Sequence, residues 1–260
     1  MRIGALLLTG AVLAVTAARL AANNSVREES SSTYALRAGG SVSLENANGD
    51  VRIQAWDRDE VLVEAIKTGN TAGVLEQSQI EVDSRPESLS IRARYAGDPA
   101  ASPGRVDFVI RVPRAARLDG IKLLNGGLDI DGVTGEVNAS SVNGSVRARR
   151  IAGDARLSTV NGKLEATFDR LGCARMISMA SVNGSIRLAI PVDARAEFNA
   201  RNVTGGIANQ FGLPVRRSRT AAGNQLHGVL KGGRTRIELN NINGQISIVP
   251  VSRSRQVPIT

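Results

Sequence analysis

Few side chains in this chain can do chemistry. There is one His and one Cys. That count excludes a disulfide scaffold and any site built mainly from imidazole and thiolate ligands. His227, in Gln225-Leu226-His227-Gly228, has no Ser or Asp that spacing can place beside it, and it reads as structural. Cys173, in Leu171-Gly172-Cys173-Ala174, reads as a small core residue rather than a reactive thiol. Asp129 and Asp131 form a close carboxylate pair, the kind of group a polysaccharide-cleaving enzyme needs. One repeat further on, the same two columns hold Arg147 and Arg149, so the pair reads as half of a charge ladder. No catalytic, cofactor or metal-binding residue is assigned.

Basic residues are the larger signal. Lys and Arg number 33 against 24 Asp and Glu, a net charge of +9. An insertion at 210–224 (QFGLPVRRSRTAAGN), read as a surface loop, carries Arg216, Arg217 and Arg219. With Arg147, Arg149, Arg150 and Arg187 these are the candidate contacts for an anionic partner. An envelope glycan, another anionic envelope component or another envelope protein would fit. The competing reading is that these cations only solvate an all-β surface. Aromatic residues are not interleaved with them, so specific nucleic-acid readout is not expected.

Residues 1–22 (MRIGALLLTGAVLAVTAARLAA) carry one early Arg2, an apolar run from Ile3 to Ala18, and small residues at the exit. This is the pattern of a secretory signal over 1–18, with 22 as the alternative exit. An uncleaved N-terminal anchor is the competing reading. Removal after Ala18 leaves a mature net charge of +8, because only Arg2 is lost. Residues 19–33 then read as a polar linker and 251–260 as a C-terminal tail. No later stretch is apolar enough to span a bilayer as a helix.

A repeat organises the remainder. Asn-Gly occurs at Asn48-Gly49, Asn125-Gly126, Asn143-Gly144, Asn161-Gly162, Asn183-Gly184 and Asn243-Gly244, with Thr204-Gly205 in an equivalent context. Fixed-period similarity near twenty residues marks a solenoid. The longer interval before Asn243 is expected to hold two units with one degenerate turn. Three residues after each Asn stand Val51, Leu128, Val146, Leu164, Ile186, Ile207 and Ile246, and a polar residue follows each, except Ala208 after Ile207. The residue before each Asn is also apolar, so Val142, Val160 and Val182 are expected inside with Val146, Leu164 and Ile186. A second strand precedes each Asn, with inward pairs such as Val137 and Ala139, Ala155 and Leu157, and Ile177 and Met179. Asn tolerates left-handed backbone and its amides can bond along a stack, so the Asn-Gly column reads as a structural turn ladder.

The expected architecture is all-β. A parallel-stacked β-solenoid, right-handed because parallel crossovers are, spans 121–250. A less regular N-terminal β section spans 34–120 and covers the first coil. Within it, Thr71–Gln79 allow one helical turn, and Ile80–Asp83, Leu89–Tyr95 and Val106–Val112 read as strands. Only seven residues are aromatic (Trp 1, Tyr 2, Phe 4), so Val, Ile, Leu and Ala must fill a thin, layered core.

Residues 41–65 (SVSLENANGDVRIQAWDRDEVLVEA) resemble the opening segment of the bacterial "putative adhesin" β-strand-repeat family, a domain of unknown function. Residues 139–166, 180–191 and 236–250 resemble its recurring V-N-G-x-I units, and the resemblance covers roughly 34–250. It implies an exported, solenoid-like, non-catalytic protein of the cell envelope, surface or medium. Some relatives are encoded near envelope-stress signalling systems, so an accessory or sensor role is the alternative. A β-helix polysaccharide-active enzyme stands third. The family supplies no site residues to carry over, and oligomeric state is not legible.

Overall fold

The structure is a computed structural model that describes residues 14–16, 25–96, 104–172, 174–217 and 223–251. The chain opens with β1 (Ala14–Thr16) and β2 (Val26–Ala35), then the first Asn-Gly coil, β3 (Ser41–Asn48) and β4 (Val51–Trp56). There follow β5 (Glu60–Gly69), helix α1 (Ala72–Glu76), β6 (Ser78–Arg85), β7 (Ser88–Tyr95) and β8 (Arg105–Pro113). Five coils come next: β9 (Arg117–Asn125) with β10 (Leu128–Asp131), β11 (Val137–Asn143) with β12 (Val146–Arg149), β13 (Ala155–Asn161) with β14 (Leu164–Thr167), β15 (Met176–Asn183) with β16 (Ile186–Ile190), and β17 (Ala196–Thr204) with β18 (Ile207–Asn209). β19 (Val215–Arg217) and β20 (Asn224–Leu230) lead to the last coil, β21 (Thr235–Asn243) and β22 (Ile246–Pro250).

Each of the coils with an Asn-Gly or Thr-Gly corner places its longer strand in one 11-stranded sheet and its shorter strand in the other. Alternate residues of both strands point into the space between the sheets, as period-two patterning requires. Val137, Ala139, Val146 and Ala148 of one coil, and Ala155, Leu157, Leu164 and Ala166 of the next, are each at most 2% exposed. Phe108, Phe168 and Phe198 are the largest side chains fully buried in this core. Pairing is parallel and in column: Val137 with Ala155, Asn143 with Asn161, Val146 with Leu164.

The coils do not stack in chain order. β4 lies between β8 and β10, and β3 lies between β7 and β9. Strands β7 and β8 therefore form a coil beyond the first Asn-Gly coil, although they follow it in sequence. The other end repeats the arrangement. β21 lies between β15 and β17, and β22 between β16 and β18, so the last coil is inserted inside its predecessor. Three of the four outermost coil strands are then edged by antiparallel strands, β6 on β7, β5 and β2 on β8, β20 and β19 on β17, while β18 ends its sheet among the described residues. This covers edges that would otherwise present unpaired backbone.

Three expectations change. Residues 26–33, expected as part of a polar linker, form a strand whose backbone pairs with β5, with exposed side chains alternating with half-buried ones and the buried Ser32. Pairing satisfies the backbone there without needing many apolar side chains. The interval before Asn243 holds no degenerate coil; it holds the antiparallel pair β19 and β20. Part of the 210–224 insertion is likewise strand rather than loop, since Val215–Arg217 pair with Asn224–Leu226. The helical turn is present, with Thr71 Oγ1 accepting from the Val74 amide at 3.4 Å. The expected strands at 80–83, 89–95 and 106–112 are also formed. Residues 1–18 lie outside the described residues apart from Ala14–Thr16, which pair with Glu29–Ser31. Cys173 and residues 252–260 also lie outside them. No helix among the described residues is long and apolar enough to cross a membrane.

Candidate functional site

The Asn-Gly corners form one edge of the stack. Asn125 donates from Nδ2 to Asn48 Oδ1 at 2.9 Å, Asn143 to Asn125 at 2.9 Å, and Asn161 to Asn143 at 2.8 Å. Asn183 continues to Asn161 at 3.0 Å and Asn243 to Asn183 at 2.8 Å. The glycines follow the same column, with backbone bonds such as Gly144 N to Asn161 O at 2.9 Å. These residues make the structural ladder expected of them, and its amides are mostly exposed.

Two residues before each Asn is an inward position that carries a polar side chain in every coil except that of Asn125, where Leu123 stands. Ser141 Oγ donates to the Gly126 carbonyl at 3.1 Å, and Thr159 Oγ1 to the Gly144 carbonyl at 2.9 Å. Asn241 and Asn202 do the same for Gly184 at 3.1 Å and Gly244 at 2.8 Å. This position sets the phase of the strand. Because it points in, the residue immediately before Asn must point out.

Val142, Val160 and Val182 are therefore not inside, contrary to expectation. Val142 and Val160 are each 37% exposed, Leu124 is 47% and Ile242 45% exposed, and Val182 is half-buried. Together with Val203 they form an outward aliphatic column. Ser140, Ser158, Ala180 and Asn240 flank it on one side, enclosing a shallow groove of about 520 Å³ that Arg201 also lines. The sequence signal that could have found it was the Ser, Thr or Asn repeated two places before the corner. A run of exposed apolar side chains of this length is a feature of contact surfaces.

The candidate cations are distributed unevenly. Arg147 bridges Asp129 at 3.2 Å and Glu165 at 3.1 Å, Arg149 reaches Asp129 at 3.3 Å, and Arg150 reaches Asp131 at 2.5 Å. The bonds to Glu165 and then Asp129 raise the Arg147 guanidinium above its ordinary value. These arginines complete the charge ladder and already have carboxylate partners within the chain. Arg187, although in register with Glu165, has no carboxylate within 4.0 Å among the described residues, and neither has exposed Arg216. Arg217 belongs to β19, and Arg219 lies outside the described residues.

The same bonds occupy the carboxylate pair that an enzyme reading would use. His227 is exposed on β20 opposite Asn199. Among the described residues no group of three or more His, Cys, Asp and Glu side chains comes together to hold a metal ion.

No family model and no curated protein matches the chain. Its fold is similar to that of a solved structure described as a putative cell adhesion protein from Clostridium sporogenes, at 11% identity and a TM-score of 0.51. That match covers 86% of this chain and 100% of the other. Weaker likenesses, each with a TM-score of 0.32 and 11% identity over 86% of this chain and 97% of the other, are to a putative adhesin from Bacteroides fragilis and a putative lipid binding protein from Parabacteroides distasonis. At these identities the first likeness speaks to the fold alone.

Proposed function

We propose that the chain is an exported, non-catalytic envelope or surface protein whose stacked coils serve as a binding scaffold. The stack is read as winding right-handed. The observation that carries the reading is the outward column of Leu124, Val142, Val160, Val182, Ile242 and Val203, set between exposed amides and small polar side chains. Stacking repeats this contact about every 4.8 Å, which suits multivalent attachment better than a single turnover site. The uncompensated cations, Arg187 and Arg216 among them, favour an anionic partner.

Binding of the purified protein to fractionated bacterial envelope across a salt series tests this. Retention that weakens as the Debye length falls from about 10 Å at 0.1 M to about 3 Å at 1 M salt is expected. No retention by any fraction would sink the scaffold reading. Reproducible cleavage of an envelope glycan would overturn the non-catalytic one.

A further inference from the structure

The net charge is not spread along the stack. Residues 25–156 hold 17 Lys and Arg against 19 Asp and Glu, a net of −2, whereas residues 157–251 hold 12 against 5, a net of +7. The inverted coil order at each end exchanges neighbours only within a half, so the two sequence halves are also the two halves of the stack. Every Lys or Arg with a carboxylate oxygen within 4.0 Å, among the described residues, lies at or before Arg156. The C-terminal half is therefore basic, and among the described residues its cations have no carboxylate partner.

Four of these cations, Arg170, Arg195, Lys231 and Arg234, gather at the corner opposite the Asn-Gly ladder. A cleft of about 830 Å³ is lined there by Asp169–Gly172, Pro191–Arg195, Arg234, Thr235 and Val251. Arg170, Arg195 and Arg234 are exposed on its walls. The Arg195 Nε donates to the Lys231 carbonyl at 3.1 Å, which brings Lys231 to the same corner. Asp169 and Asp193 also line the cleft, and neither pairs with these arginines within 4.0 Å. Aliphatic side chains stand among the cations: Val192 is 63% and Val229 54% exposed. Val229 lies opposite Glu197 on β20, one residue before Leu230 and close to this corner.

From this juxtaposition we propose that the C-terminal coils dock on an anionic phospholipid bilayer, with Arg170, Arg195, Lys231 and Arg234 on lipid phosphates and Val192 and Val229 in the interfacial region. Guanidinium pairs bidentately with phosphate. Exposed aliphatic residues interleaved with cations suit a lipid interface, whose headgroups lie above hydrocarbon. A sulfated or carboxylated glycan would use the cations but leave Val192 and Val229 without a function. The inference rests on the anionic-partner part of the proposed function and names both the partner and the contact end.

The test is flotation of the full chain with vesicles of phosphatidylcholine alone and of phosphatidylcholine mixed equally with phosphatidylglycerol. Binding only to the anionic vesicles, weakened by salt, is expected; equal binding to both overturns the proposal. Combining R170Q, R195Q and R234Q should cost on the order of a hundredfold in vesicle affinity, about fivefold for each cation. R37Q, R58Q and R85Q together remove the same charge from the other half and should cost less than about threefold. V192S with V229S should cost about tenfold. Circular dichroism checks that each variant is folded.

Trp56 is the single Trp, on the second coil from the far end, and reports orientation. Brominated lipid should leave its fluorescence unquenched, and strong quenching would overturn docking through the C-terminal coils. Dextran sulfate serves as the polyanion control. Its capture of the protein, without binding to phosphatidylglycerol vesicles, overturns the lipid assignment and leaves the anionic-partner reading standing. Binding to neither overturns both.

Discussion

Gly144 lies against the carbonyl of Gly126 so closely that a β-carbon on it would overlap both the oxygen and the carbon of that group. Gly162 stands in the same relation to Gly144, and Gly184 to Gly162. Successive coils therefore meet at the corner backbone to backbone, and the Asn amide ladder beside them can keep its bonds near 2.9 Å. The glycine column is a packing requirement of the stack.

Gly144→Ala should then destabilise the protein by about 3 kcal/mol or more, because the coils must separate. The φ of Gly144 is outside the left-handed range, so the cost is steric. Gly206→Ala is the control, since a β-carbon there meets nothing within 4 Å. It should change stability by less than about 0.5 kcal/mol. Urea midpoints of the two variants check this, and similar shifts would contradict the close approach.

The facing of the two valines around one corner is testable directly. Val146 is 0% exposed, and Val146→Asp places a carboxylate between the sheets at a cost of several kcal/mol, roughly 4. Val142 is 37% exposed, and Val142→Asp should cost less than about 1 kcal/mol. Thermal melts that ranked the two alike would reject the assigned phase.

The inward polar column predicts unequal responses to removal of a hydroxyl. Ser141→Ala leaves the Gly126 carbonyl without its partner and should cost about 1 kcal/mol. Ser181 is 4% exposed and its Oγ has no hydrogen-bond partner, so Ser181→Ala should be neutral or slightly stabilising. Chemical denaturation of the pair measures the difference.

Tyr95 predicts how the fold behaves at high pH. Its hydroxyl lies 2.9 Å from the Asn48 carbonyl and 3.0 Å from Asn46 Oδ1. Burial pushes its pKa up from 10 to about 12. Below pH 10 the folded and unfolded chains both keep the proton, and stability is unaffected. Between 10 and 12 the unfolded chain loses it first, so stability falls as pH rises. The loss should total about 1–2 kcal/mol, after discounting for the partial exposure of the ring. Tyr95→Phe should remove that part of the slope, and stability curves of both proteins between pH 9 and 12.5 check it.

Much of the coil was legible. The apolar residue three places after each Asn-Gly step, from Val51 to Ile246, is buried in every coil, because a strand with one buried face must alternate. The charge ladder was legible for the same reason: Asp129, Arg147 and Glu165 occupy one outward column and bond along it. The outward aliphatic column was not. Val142 and Val146 are both apolar and near the corner, and hydropathy alone does not show that the corner changes the phase between them. The hydroxyl of Ser141 decides it, because that group is inward only once the Gly126 carbonyl of the neighbouring coil is there to accept from it.

The candidate contact residues divide in a similar way. Charge counts pointed to arginines, but a count does not say which of them have carboxylates beside them. Arg147, Arg149 and Arg150 are occupied because stacking brings Asp129, Asp131 and Glu165 alongside. Arg170, Arg195 and Arg234 sit in three separate chain segments, and only the cleft brings them together.

By itself the sequence determined most of the coil: its two strands, its Asn-Gly corner and the core-facing residues other than those next to that corner. Those follow from contacts within about twenty residues and from backbone geometry that every coil shares. Only the tertiary structure decided the order in which coils stack. The columns of β15, β17 and β21 share the same inward pattern, and β21 pairs in register with both of the others. The final coil lies between its two predecessors because its strands bond to β15 on one side and β17 on the other, while β20 edges the outermost coil. That choice rests on pairing between segments far apart in the chain, β21 with β15 on one side and β17 on the other, which the repeat pattern does not distinguish.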